Sequence, residues 1–194
     1  RVYGEAIAIL AGDALLTRAF GLLASNARIS GVDKEAVLRV IEEFSFACGS
    51  SGLVGGQVAD VLFTGREAGP EVVDYIHRHK TAALFRVTVR AGAILSGAAE
   101  SELSALTAFG EHYGVAFQML DDIADAAEDV LSRGSEKKKV SSVATWGLEE
   151  ARNRAERTMV QAVEALKPLG DRGRVLVQLA RYTLQLLAKK REGL

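Results

Sequence analysis

Residues Gly114–Asp129 read GVAFQMLDDIADAAED, an apolar helix-forming stretch that carries Asp121, Asp122, Asp125, Glu128 and Asp129 within a few turns. At ~100° per residue, Asp121 and Asp125 lie about 40° apart on a helix, with Asp122 beside them and Gln118 about 40° from Asp122. Three carboxylates and an amide therefore share one stripe. Like charges so placed repel. Magnesium compensates them well, because it takes one or two carboxylates and fills its other octahedral positions with water and phosphate. Tyr113, Val115, Phe117, Met119, Leu120 and Ile123 surround the acids with apolar surface. That setting favours an interior cleft over the bland alternative of a solvated acidic patch.

Working outward, helix signals dominate the chain. Only two prolines occur, Pro70 and Pro168, and both fall between apolar-periodic runs where they break no helix. The strict alternation of a half-buried strand is absent. The pattern predicts a helix over about 2–25, a turn at NARISGVD, and a helix from Lys34 through a glycine-rich patch to about Phe63. TGREAGP reads as a loop. Further helices are expected over about 71–95, 101–130, 148–166 and 174–190, the last two following the polar SRGSEKKK. Long helices with short connections imply an all-α antiparallel bundle or helical barrel, in a single domain over 1–194.

Composition excludes several function classes. Hydrophobic residues make up 48% of the 194, yet no run approaches the ~20 uninterrupted apolar residues of a membrane span, so a soluble protein without an integral membrane segment is expected. A net charge of -1 gives no global attraction for nucleic acid or an anionic membrane. The one cysteine, Cys48, can form no internal disulfide, which fits a reducing cytoplasm. The chain starts at Arg1 inside an apolar-periodic segment and reads as part of something longer.

Two more constellations carry chemistry. In IHRHKT, residues 76–81, Lys80 can snorkel to solvent or, in an acid-lined cleft, bind a phosphate as a compact cation. His77 and His79 are two apart and point to different faces, which suits no shared metal. Asp74 and His77 are three apart, but no matching inward Glu-x-x-His pairs accompany them, so a di-iron bundle is not expected. In GSSGLVGGQVAD, residues 49–60, the glycines weaken a helix by roughly 1 kcal/mol each, and such positions admit a neighbouring backbone or ligand closely. The stretch lacks the Gly-Lys-Ser/Thr ending of a phosphate loop. Gln57 and Asp60 give it a polar face that could support the acidic cleft.

EAIAILAGDALLTRAF, GLVGGQVAD, IHRHKT, GVAFQMLDDIADAAED and GLEEARNRAE, in this order and spacing, resemble the C-terminal two-thirds of a trans-isoprenyl diphosphate synthase of the bacterial short-chain farnesyl or geranylgeranyl type. The resemblance covers essentially the whole chain. It implies long antiparallel helices around a central cavity, and an enzyme that condenses isopentenyl diphosphate with dimethylallyl, geranyl or farnesyl diphosphate in isoprenoid biosynthesis. By the same resemblance Asp121, Asp122 and Asp125 match the second aspartate-rich motif, which binds magnesium against the allylic diphosphate, with manganese as a substitute. Lys80 and Thr81 match a Lys-Thr pair that contacts that diphosphate and the developing cation. Gln118 matches a glutamine of the same site. Catalytic roles are thus expected for Lys80, Thr81, Gln118 and Asp121, and a cytoplasmic homodimer is implied.

The family's first aspartate-rich motif and its isopentenyl diphosphate seat would lie upstream of Arg1. After Asp129 the chain is shorter than the family pattern, with Lys139 and Ser141 in the Lys-x-Thr positions and Ser142 in place of a tyrosine. Lys139 is accordingly a diphosphate-binding candidate, although the basic run around it also suits a solvated surface. Two other readings compete: a non-catalytic or regulatory subunit of a prenyl synthase, and a class I terpene cyclase. Against the cyclase, no convincing Asn/Asp-x-x-Ser/Thr-x-x-x-Glu motif accompanies the acids.

Overall fold

A computed structural model of the protein describes residues 2–132 and 140–192, and every regular element among them is helical. α1 (Glu5–Ser25) runs through a 3₁₀ turn (Asn26–Arg28) to a loop, and α2 (Lys34–Cys48) starts where Asp33 caps it by accepting the Glu35 N–H at 3.2 Å. α3 (Leu53–Phe63) is followed by α4 (Pro70–Ile76), with Pro70 in the first turn where its missing N–H costs nothing. α4 continues without a break through a π-helical turn (His77–Ala82) into α5 (Ala83–Leu95). α6 (Glu100–Ser132) is the longest helix described; then come α7 (Ser142–Trp146), α8 (Leu148–Ala165), a 3₁₀ segment (Lys167–Gly173) and α9 (Arg174–Glu192).

The long helix expected over 34–63 is two helices. Gly49 is extended and Gly52 takes φ -136°, ψ -122°, where a Cβ would overlap the Ala47 carbonyl. Only glycine lets α3 start this close to the end of α2. α7 was not foreseen; five residues are too few for periodicity to register.

α6 is the central helix. Its face of Phe109, Tyr113, Ala116, Met119, Leu120 and Ile123 is buried with Ala151, Ala155, Met159 and Ala162 of α8. Those four α8 residues stand four, four and three apart, a stripe of mostly small side chains that lets the two helices approach. On the other side, Arg90 of α5 forks onto Glu43 of α2, with both N–O distances 2.7 Å, and donates to Thr107 of α6 at 2.6 Å. One guanidinium thereby joins three helices.

α1 is the exception to this burial. Its Phe20 meets Phe44 of α2 edge-on at 5.3 Å, and Leu23 packs on the small core of Val40, Ile94 and Leu103. Ile7, Ile9, Leu10, Leu15, Leu16 and Leu22 remain exposed. Segments 5–28 and 34–63 are long and apolar enough to cross a bilayer by length and composition alone. Asp13 and Arg18 interrupt the first, and the second contains the break at 49–52.

Candidate active site

The π-helical turn is held between two glycines. A Cβ at Gly56 of α3 would overlap the backbone of Lys80, and one at Gly114 of α6 would overlap Ala82 Cα. The glycines of GSSGLVGGQVAD thus do what their type allows, bringing backbone against backbone. Such π turns widen a helix locally and concentrate at functional sites. Here it carries His77, Lys80 and Thr81 up to the acidic stripe of α6.

From this contact a chain of polar side chains follows. Lys80 Nζ donates to Asp60 Oδ2 of α3 at 2.6 Å, so the polar face expected around Asp60 does meet the site. Thr81 Oγ1 donates to Gln118 Oε1 at 2.5 Å. Gln118 Nε2 in turn lies 3.3 Å from both Asp121 Oδ2 and Asp122 Oδ1. Gln118 therefore joins Thr81 to both Asp121 and Asp122, with Lys80 next to Thr81 in the chain.

The three acids are not equivalent. Asp121 is exposed, Asp125 is half-buried, and Asp122 is only 9% exposed. Asp122 Oδ2 accepts from the Ser142 N–H at 2.7 Å and from His77 Nε2 at 3.1 Å, while its Oδ1 faces Gln118. Burial alone pushes the Asp122 carboxyl up; the His77 hydrogen bond and charge, with the Ser142 N–H, outweigh it and hold the group below the usual carboxylate range. His77 and Ser142 were not anticipated as site residues. Their link to Asp122 spans 45 and 20 residues of sequence, beyond what helical spacing reports.

Among the described residues no three His, Cys, Asp or Glu side chains converge to hold a metal. A magnesium ion fits nonetheless, because it asks for one or two hard carboxylate oxygens and completes its shell with water and phosphate. Asp121 is exposed, and among the described residues a long amide contact from Gln118 touches one of its oxygens. Lys139 lies outside the described residues. Ser141 caps α7, its Oγ accepting from the Ala144 N–H at 3.1 Å.

Comparison with known proteins identifies a family for the chain. Residues 1–165 match the family described as Polyprenyl synthetase. A dimethylallyltranstransferase of Fischerella ambigua is 37% identical over 191 residues, 95% of this chain and 55% of that protein. A farnesyl diphosphate synthase of Escherichia coli is 37% identical over 193 residues, 94% of this chain and 64% of the other. Among solved structures, an FPP/GFPP synthase of Zymomonas mobilis superposes with a TM-score of 0.81 at 30% identity, covering 94% of this chain and 62% of that one. A geranyltransferase of Helicobacter pylori, complexed with magnesium and isoprenyl diphosphate, does so with a TM-score of 0.73 at 30% identity, over 98% and 62%. The chain thus spans between about half and two-thirds of the length of these relatives. With its motifs in family order and its helices superposing on solved members, the chain belongs to the polyprenyl synthetase family.

Proposed function

We propose that the protein is a magnesium-dependent trans-prenyltransferase that condenses isopentenyl diphosphate with dimethylallyl, geranyl or farnesyl diphosphate to a short-chain prenyl diphosphate of the farnesyl or geranylgeranyl kind. The observation that carries the reading is the joining of the Lys80–Thr81 turn to the acids of α6 through the Thr81–Gln118–Asp121 hydrogen bonds. The names of the relatives, and the magnesium and isoprenyl diphosphate of the Helicobacter pylori structure, support the same chemistry.

Breaking the allylic carbon–oxygen bond sends its electron pair to the diphosphate and leaves a carbocation. The Asp121 and Asp125 carboxylates would hold magnesium, which when bound would supply positive charge against that leaving group. Lys80 opposes the same charge as a compact cation, and Asp60 keeps its ammonium in place until a diphosphate competes for it. Thr81 donates its proton to Gln118, so the hydroxyl oxygen is left to present lone pairs to the developing cation. Phe85 and Phe117, with rings 5.2 Å apart, supply apolar surface that would help keep water from the cation. The isopentenyl double bond then attacks, and the departing pyrophosphate takes the released proton, which requires no protein base.

We read the protein as a cytoplasmic homodimer. The bare apolar residues of α1 support coverage by further polypeptide, and the lone Cys48 fits a reducing compartment. Manganese substitutes for magnesium in this reading, since both are hard ions suited to carboxylate and water. The acidic stripe is tested by Asp121→Ala combined with Asp125→Ala in the full-length protein. Magnesium-dependent turnover is expected to fall by at least about 10³-fold; turnover within a few-fold of the parent would make the stripe a surface feature.

A further inference from the structure

Among the described residues, the buried polar side chains are His77, Asp122 and Ser142, and all three meet at one point. Asp122 leaves α6 to receive His77 Nε2 from the π turn and the Ser142 N–H from the start of α7. A carboxylate oxygen at 3.1 Å puts a proton on His77 Nε2, because the carboxylate can only accept. That leaves His77 Nδ1 buried without a partner among the described residues. Burying such an atom costs about 1–3 kcal/mol, and a fold concerned with stability alone would replace it by an apolar group. The place of the three side chains at the junction of three elements points to a role in how those elements are held together.

We propose that His77 is a positioning residue, which through Asp122 fixes the register between the turn bearing Lys80 and Thr81 and the α6 face bearing Asp121 and Asp125. The proposal rests on the function proposed above. Lys80 and Thr81 follow His77 by three and four residues in the π turn, while Asp121 and Asp125 flank Asp122 on α6. A bond from His77 to Asp122 thus ties the cationic side of the diphosphate site to its metal side. Both Asp122 oxygens are already engaged, Oδ2 twice and Oδ1 by Gln118. Asp122 therefore serves as the anchor of this brace, and metal binding falls to its neighbours. Slippage of such a register by about 1 Å is enough to cost roughly 10²-fold in rate.

The test uses the full-length protein carrying His77→Leu, His77→Gln, Asp122→Asn or Asp121→Asn. For each, kcat, KM and half-saturating magnesium are measured, along with the rise in Tm given by magnesium plus inorganic pyrophosphate. His77→Leu is expected to lower kcat about 10–100-fold, mostly without change in the allylic KM, whereas His77→Gln, whose amide can still donate, recovers to within about fivefold of the parent. Asp122→Asn keeps an acceptor oxygen for His77 and Ser142, so half-saturating magnesium should stay within about twofold, against a shift of more than about tenfold for Asp121→Asn. A His77→Leu protein of unchanged kcat overturns the brace, even if its Tm falls. Asp122→Asn as damaging to magnesium binding as Asp121→Asn overturns it too, by making Asp122 a ligand. A parent protein whose Tm ignores magnesium and pyrophosphate sinks the proposed function first, and the role of the brace with it.

Discussion

Gly56 and Gly114 show how single residues decide whether this site can exist. Neither has a chemical group to offer, yet the π turn comes this close to α3 only because Gly56 lacks a Cβ, and to α6 only because Gly114 lacks one. Gly56→Ala should destabilise the fold by about 1–3 kcal/mol, as overpacking does, and lower the urea midpoint. Gly12→Ala, in α1 with open space around its Cβ position, should leave the midpoint unchanged or raise it slightly. Equal effects of the two substitutions would refute the close-approach argument. The same scale marks how far the sequence could be read. Gln118 and Asp121 share a stripe by helical spacing, and the roles of Lys80 and Thr81 follow from the family resemblance of IHRHKT. His77 carries no such signal, since its meaning lies in a carboxylate 45 residues away that no periodicity connects to it.

At the scale of elements, register and junctions matter more than helix formation. Helices over 71–95, 101–130 and 148–166 are legible from apolar spacing and emerge within a residue or two. The break at Gly49–Gly52 and the π turn at His77–Ala82 are not, because each depends on which backbone packs against it. Where α2, α5 and α6 meet, the link is electrostatic. The hydrogen bond from Arg90 holds the Glu43 carboxyl below its ordinary range against the opposing effect of burial, with Arg39 adding to it. A depressed folded-state pKa contributes stability above the unfolded value of about 4.3, and that contribution is lost as pH falls through the folded value. Denaturant unfolding measured from pH 7 down to pH 3 should therefore show a loss below about pH 4–5 that is smaller in Glu43→Gln. An identical acid profile in the two proteins would mean the Arg90–Glu43 fork contributes nothing.

For the whole molecule, the all-α character follows from two well-placed prolines, strong helix formers and the want of alternating patterns, and it is what the structure shows. What sequence could not order is the third dimension: which helix buries its apolar side and which does not. α1 is strongly apolar, yet it leaves Ile9, Leu10 and Leu15 more than half exposed. The relatives are longer than this chain by a third to a half of their own length, so chemistry is best tested on the full-length protein. The most direct measurement is incubation of that protein with labelled isopentenyl diphosphate and dimethylallyl, geranyl or farnesyl diphosphate, with and without magnesium, followed by separation of the products by chain length. The account predicts magnesium-dependent extension of at least one primer to a farnesyl or geranylgeranyl product. No extension of any primer by a folded protein, at any magnesium concentration, would contradict it.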